Sequence, residues 1–315
     1  MNTVRKLLAF AFIPFIYLPI LSCSGIVSGE KTSVAEFDPD SVSTLLARIG
    51  PPDPLVLETY ARSGATDITT HQLSDEELAI VISALARLPE LHRRILEQHL
   101  VRLTFLDLKA GAGSALTSRV DPDDPGKQFA ITLKASLLKE SLTDFLNTKE
   151  SALFVDDGSG YQIRFDVGME DALTYILVHE ASHVVDQVLG LTADKTSSFM
   201  AGTWDTTRLP LEPYISSLAL QNRFRGAPAI PLSEAPRYYR ALSETPFVTL
   251  YATAAASEDV AELFAWNQVS KNLDNGMTLS VLDSFGGTIF QYEPLESPLV
   301  RARFLSVEKT LEAST

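Results

Sequence analysis

The chain has 315 residues, of which 45% are hydrophobic and 21% are charged. A chain of this size can bury a core that folds without disulfides. Its formal net charge of −14 argues against nucleic-acid binding through phosphate contacts, so we expect no nucleic-acid partner. The single cysteine, Cys23, excludes an intramolecular disulfide and a zinc site built on several cysteines.

The first 22 residues have the pattern of an export signal. Arg5 and Lys6 give the segment a positively charged start, and residues 7–21 form an apolar run that contains two prolines. This run is short for a membrane-spanning helix, and a short apolar run behind a positive start is typical of a signal peptide. We therefore expect residues 1–22 to be a signal peptide.

The end of this segment, Ile20-Leu21-Ser22-Cys23, resembles the lipobox of bacterial lipoproteins. In that family the cleaved chain begins at the cysteine, which carries acyl chains. The resemblance implies a lipidated Cys23 and an exported, membrane-anchored protein that faces the periplasm or the cell exterior. Residues 24–40 are mostly polar and patternless, so we expect residues 23–40 to be the lipidated cysteine and a tether. An ordinary signal peptide or a single uncleaved anchor would explain the same segment.

From residue 41 to about residue 100 the apolar spacing predicts helices. Ser74, followed by three acidic residues, is typical of a helix N-terminus, and Pro89 is expected to separate that helix from the next one. Alternation of apolar and polar residues then predicts strands, and the loop between the first two is rich in turn-forming residues. These predicted strands are residues 101–108, 129–134 and 161–167.

A longer helix is predicted over residues 169–189, with acidic residues in its first turn and Gly190 placed to end it. Another helix is predicted over residues 257–272. Because the strands come before the long helix and do not alternate with helices, the order favours an α+β fold over a doubly wound sheet. We expect one domain over residues 41–315, with residues 41–100 as its helical N-terminal part.

Residues 179–183 are His-Glu-Ala-Ser-His, which is the spacing of a zinc-binding helix. Side chains four residues apart lie on the same face of a helix, so His179 and His183 can reach one metal ion. Glu180 points about 100° away around the helix and is available as a general base. Bound zinc would supply a Lewis acid and lower the pKa of a water molecule. The motif therefore predicts a Zn²⁺-dependent hydrolase with Glu180 as a catalytic residue.

The third zinc ligand must come from farther along the chain. The metzincin pattern is excluded, because Asp186 and Leu189 stand where it requires Gly and His. Asp205 lies in Gly-Thr-Trp-Asp, which resembles the Gly-Thr-x-Asp element of aspzincins. Glu258 and Glu262 lie four residues apart on a predicted helix, where one carboxylate could bind the metal and the other could orient an imidazole. The residues alone leave Asp205 and Glu258 open as the ligand.

Two segments, residues 179–186 and 251–265, together resemble the gluzincin catalytic domain of the anthrax lethal-factor type. They share the patterns His-Glu-x-x-His-x-Val-Asp and Glu-x-x-Ala-Glu-x-Phe-Ala. The resemblance implies a zincin-like catalytic domain with a small mixed sheet, and it implies Glu258 as the third ligand. The other residues that it carries over are Tyr251 as a hydrogen-bond donor to the oxyanion, Glu262 as the second acid and Asp186 as the aspartate beside the metal motif.

The sequence therefore predicts a membrane-anchored zinc endopeptidase with a peptide or protein substrate. Residues 129–134 are our candidate for the edge strand that pairs with an extended substrate. Two alternatives remain, namely a zinc-binding surface lipoprotein that acts as a binding module and a zinc hydrolase of non-peptide amides. Of the other histidines, His92 and His99 are expected to face solvent, and His71 lies in a polar turn region.

Overall fold

The structure is a computed structural model that describes residues 39–109, 113–121, 123, 126–273 and 276–313. The expected signal peptide, Cys23 and nearly all of the expected tether lie outside the described residues. Within the described ranges, no helix combines the length and the apolar character needed to cross a bilayer.

The described residues form a mixed α+β fold of helices and three small sheets. The helices are α1 (Pro39–Leu46), α2 (Pro54–Arg62), α3 (Asp75–Ala86), α4 (Glu90–His99), α5 (Leu142–Ser151), α6 (Ala172–Leu189), α7 (Ala235–Ser243), α8 (Ala256–Ser270) and α9 (Pro298–Glu312). The strands are β1 (Thr66–Thr70), β2 (Leu100–Lys109), β3 (Ala115–Arg119), β4 (Phe129–Lys134), β5 (Phe154–Val155), β6 (Gln162–Asp166), β7 (Ile230–Pro231), β8 (Thr278–Leu282) and β9 (Thr288–Tyr292).

The largest sheet has the strand order β1-β2-β4-β3. The β2–β4 pair is parallel, and the outer pairs are antiparallel, so the sheet is mixed. The expectation that residues 129–134 form an edge strand is wrong, since β4 has β2 on one side and β3 on the other. All its residues except Lys134 are buried, and near-continuous apolar sequence is typical of a central strand. The edge strand on this side is β3, in the segment expected to be a loop.

The smaller sheets lie later in the chain. Strands β6, β8 and β9 form an antiparallel three-stranded sheet, and β5 pairs in parallel with β7. The N-terminal part is helical as expected, apart from β1. Ser74 caps α3 in a capping box, because its hydroxyl accepts from the Glu77 N–H while the Glu77 carboxylate accepts from the Ser74 N–H.

Helix α6 lies in the core and carries the His-Glu-Ala-Ser-His motif. Asp171 caps it by accepting from the Thr174 N–H, and Gly190 ends it in the left-handed conformation, with φ of 72°. Every residue from 172 to 186 is buried. Helix α8 packs along it, with the Tyr175 and Trp266 rings 5.1 Å apart. The motif therefore lies on a helix held by the core rather than on a surface helix.

The expectation that His92 faces solvent is wrong. His92 lies on α4 and is fully buried, with its ring edge against Phe264 of α8. Its Nε2 lies 2.9 Å from the Ser182 hydroxyl, which itself donates to the Val178 carbonyl. The Ser182 oxygen therefore accepts a hydrogen bond from the Nε2–H of His92. Burial lowers the pKa of His92 to about 3, so it is a neutral packing residue. His99 is partly buried and contacts two backbone carbonyls.

Candidate metal centre

The two histidines of the motif face one buried point beside α6. His179 and His183 are 4% and 7% exposed, and their rings lie 5.0 Å apart at an angle of 84°. Ligand atoms of His179, Glu180 and His183 all lie within 4.8 Å of one another. Buried imidazole and carboxylate groups at this separation could hold a metal ion.

Glu258, in the first turn of α8, lies beside both imidazoles. Its Oε2 lies 3.2 Å from Nε2 of His179 and 3.5 Å from Nε2 of His183. Ligands at zinc-like bond lengths in a tetrahedron are separated by about 3.3–3.5 Å, so the three atoms have the spacing of a shared ion. Burial raises the pKa of Glu258, but the two imidazoles outweigh burial and hold it well below its usual value. Burial lowers the pKa of His179, but Glu258 and Glu262 outweigh burial and raise it to about 9. Without a metal ion Glu258 is therefore a carboxylate beside an imidazolium, and a metal ion would displace the imidazole proton.

Glu180 is also close to the imidazoles, but a different neighbour holds its carboxylate. The Thr117 hydroxyl, on the edge strand β3, donates to Oε2 of Glu180 over 2.6 Å. Glu258 is thus the carboxylate placed at both Nε2 atoms, and Glu180 is held from the side of the sheet. This division fits Glu258 as a ligand and leaves Glu180 available for proton transfer.

Glu262, one turn after Glu258, lies behind His179 and is fully buried. Its Oε1 lies 3.2 Å from Nδ1 of His179, although the alignment is poorer than that of a good hydrogen bond. The Tyr175 hydroxyl also donates to Oε1, and the Thr249 hydroxyl donates to Oε2 over 2.6 Å. Burial raises the pKa of Glu262, but Lys149 and His179 outweigh burial and lower it to about 2. A carboxylate on the Nδ1 side of an imidazole leaves Nε2 as the nitrogen available to a metal ion.

Tyr251 begins a short 3-10 turn just before α8. Its ring lies 5.8 Å from that of His179 and 4.9 Å from that of Phe224. Burial, followed by the charge of Glu258, raises the pKa of Tyr251 well above its usual value. The phenol therefore keeps its proton and can act as a hydrogen-bond donor at the site.

Lys149, on α5, is a member of the site that the sequence did not indicate. Its ammonium lies 3.7 Å from the centre of the Tyr251 ring and 3.9 Å from Oε1 of Glu262. The side chain is 18% exposed. A cation in this position balances part of the negative charge of Glu262 and contacts the face of an aromatic ring. Nothing in the sequence around residue 149 distinguishes this lysine from others on helix surfaces.

Asp186 and Asp205, two further candidates, have other partners. Both oxygens of Asp186 accept from Thr192, one from its N–H and one from its hydroxyl, each over 2.8 Å. Asp186 thereby closes the turn after α6. Asp205 is exposed and lies 3.3 Å from the Lys195 ammonium. It is not placed with the buried imidazoles, so the geometry favours Glu258 over Asp205 as the third ligand.

Asp259 is a further acidic residue in the first turn of α8, directly after Glu258. Its Oδ2 accepts from the Trp204 indole N–H and from the Arg303 guanidinium, each over 2.8 Å. Both Asp259 and Arg303 are buried, so this ion pair links the start of α8 to α9. Asp259 is therefore directed away from the imidazoles and does not compete with Glu258.

Comparisons of the chain with protein-family models, with curated proteins and with solved structures found no match. The residues themselves define a buried group of two imidazoles and nearby carboxylates that could hold a metal ion. Two imidazoles and one carboxylate form the donor set of divalent-metal sites that keep a position open for water or substrate.

Proposed function

We propose that the protein is a zinc-dependent endopeptidase of the gluzincin class, with a zincin-like catalytic domain. One observation carries the proposal: Glu258 Oε2 lies within 3.5 Å of both motif imidazoles, while Glu180 is held separately by the edge strand. This arrangement provides three ligands and a free carboxylate beside the open position. The proposed ligands are His179, His183 and Glu258.

In the proposed mechanism, bound zinc supplies a Lewis acid and makes water more acidic at neutral pH. Glu180 takes the proton from the attacking water and later passes it to the leaving amine. Tyr251, which keeps its own proton, donates a hydrogen bond to the oxyanion that develops on the scissile carbonyl. Glu262 holds His179 in the orientation that leaves its Nε2 for the metal.

The proposed substrate is an extended peptide that pairs with an edge strand. Since β4 is central, this role moves to β3, which in the described sheet has β4 as its single strand neighbour. Strand β3 also packs against α6, and its Thr117 contacts Glu180. A peptide added to the β3 edge would therefore lie beside the proposed base.

We also propose that the protein is an exported lipoprotein anchored through Cys23, with residues 23–40 as the tether. The proposal rests on the lipobox resemblance. Multiple acyl chains hold a protein firmly on a membrane surface. Metabolic labelling with radioactive palmitate tests it: label should enter the wild-type chain and be absent from Cys23→Ala. Equal labelling of both chains would contradict a lipid at this cysteine.

The metal site is tested by measuring the zinc content of the purified chain and its variants. We expect about one zinc per chain in the parent and in Asp205→Ala, and a loss of zinc in His183→Ala and Glu258→Ala. Loss in Asp205→Ala with retention in Glu258→Ala would indicate Asp205 as the ligand. A folded parent without zinc would overturn the metalloenzyme proposal.

Peptidase activity is tested on a proteome-derived peptide mixture, with cleavage products read by mass spectrometry. The zinc-loaded parent should generate new peptide ends, and Glu180→Gln, with its zinc retained, should not. Absence of cleavage by a zinc-loaded parent would favour a hydrolase of other amides or a binding module. Cleavage that persists in Glu180→Gln would contradict the role of this residue as the base.

A further inference from the structure

The contact between Thr117 and Glu180 joins the edge strand to the proposed base. Thr117 lies in β3 opposite Ile131 of β4 and is 3% exposed. Its Oγ1 lies 2.6 Å from Oε2 of Glu180 and 3.1 Å from the backbone carbonyl of the same residue. A hydroxyl has one proton to donate, and the charged carboxylate is both the closer and the stronger acceptor. The hydroxyl therefore donates to the side chain of Glu180.

This hydrogen bond restricts the side-chain conformation of Glu180. A glutamate side chain has several rotamers, and a bond to one carboxylate oxygen selects among them. With Oε2 held by the strand, Oε1 of Glu180 is the oxygen that can face a water or a substrate group. The bond is buried, so bulk water competes with it weakly.

We propose that Thr117 is a positioning residue for Glu180. Through Thr117, strand β3, which is the proposed pairing strand for the substrate, also sets the orientation of the base. The inference rests on the proposed function, because Thr117 acts through Glu180. A peptide that pairs with β3 would order the same strand that holds the carboxylate. Substrate binding and base orientation are therefore coupled through one side chain.

The test uses binding of acetohydroxamate to the zinc-loaded full chain in detergent, measured by calorimetry. A hydroxamic acid chelates zinc through two oxygens, and its hydroxyl is a donor to a nearby carboxylate. Its affinity therefore reports on where Glu180 lies without requiring a known substrate. The variants are Thr117→Val, which keeps the shape and loses the hydroxyl, Thr117→Ser, which keeps the hydroxyl, Glu180→Gln, and the double variant Thr117→Val with Glu180→Gln.

We expect Thr117→Val to bind acetohydroxamate roughly tenfold more weakly than the parent, as for loss of a hydrogen bond to a charged group. Thr117→Ser should bind about as well as the parent. In the Glu180→Gln background, Thr117→Val should change the affinity less than about twofold, because the carboxylate through which Thr117 acts is gone. Zinc content should be equal in all the variants. With a cleaved peptide, Thr117→Val should lower kcat and leave KM unchanged.

The outcomes separate this inference from the proposed function. A zinc-loaded parent that does not bind acetohydroxamate overturns the proposed function and this inference with it. If the parent binds, Glu180→Gln weakens binding and Thr117→Val matches the parent, the positioning role alone is overturned. An equal loss from Thr117→Val with and without Glu180→Gln also overturns it, since the effect would then be structural. Should Thr117→Val fail to fold, Thr117→Ala replaces it in the same cycle.

Discussion

Substitution of Glu150 tests whether a negative charge at this buried position lowers the stability of the fold. Glu150 lies on α5, is 1% exposed and accepts a hydrogen bond from the Tyr239 hydroxyl over 2.9 Å. Burial raises the pKa of Glu150 to about 7, against the opposing effects of Lys149 and Tyr239. The nearby charge of Glu262 raises it further. We predict that Glu150→Gln removes a pH dependence from the stability of the fold.

The direction and size of this pH dependence of stability follow from proton linkage. Between the usual pKa of 4.5 and the folded value of about 7, the folded chain keeps a proton at Glu150 that the unfolded chain releases. The free energy of unfolding of the wild type therefore falls as pH rises through this window. At about 1.36 kcal/mol for each pH unit, the loss reaches on the order of 3 kcal/mol near pH 8. Glutamine carries no charge and keeps an acceptor for Tyr239.

The assay is urea unfolding of metal-free protein at about pH 5, 6.5 and 8, since bound metal would add a pH dependence of its own. Relative to Glu150→Gln, the wild type should lose on the order of 3 kcal/mol between the lowest and highest pH. Glu244→Gln, at an exposed position, is the control and should follow the wild type. Parallel wild-type and Glu150→Gln curves would refute the reasoning.

Three further substitutions test other contacts. Arg303→Met leaves Asp259 buried without its cation and should cost about 3–5 kcal/mol in urea unfolding, so an unchanged midpoint would show that the pair contributes little. The pKa of His71 is raised, chiefly by its hydrogen bond to Glu77. The stabilisation that protonated His71 gives to the fold is therefore complete below about pH 6.5 and is lost as pH rises through the folded pKa. Relative to His71→Gln, the wild type should therefore lose stability between about pH 5.5 and 8.5, and a constant difference would contradict this. Lys127→Met removes an ammonium that donates to the last carbonyls of α6 and should lower stability by about 1 kcal/mol in thermal unfolding, while equal melting temperatures would argue against this cap.

Elements with strong local patterns could be predicted from the sequence. The start of α3 at Ser74, strands β2 and β4, and helix α6 with its glycine stop lie within a few residues of their predicted bounds. Strand β3 was missed because Ala-Leu-Thr-Ser-Arg alternates weakly and is flanked by turn-forming residues. Its pairing with β4 depends on a long-range contact, which also decides that β4 is central.

The residues of the site also fall into those that the sequence could place and those that it could not. The spacing of His179 and His183 follows from helix geometry, so the sequence alone was enough to place them on one face. The position of Glu258 beside them depends on how α8 packs on α6. Spacing made Glu258 a candidate, and only the family resemblance favoured it over Asp205. Thr117 and Lys149 reach the site from β3 and α5, and no spacing rule connects residues that far apart in the chain.

The ion pair between Asp259 and Arg303 has a consequence for when the site forms. Glu258 lies next to Asp259 in the first turn of α8, and that turn is linked to α9 by the buried pair. A chain that emerges N-terminus first therefore presents both motif histidines well before the carboxylate beside them is secured. The proposed metal site would therefore be complete only once α9 has packed against α8. For a chain exported as proposed, metal would then be acquired on the far side of the membrane, from whatever supply exists there.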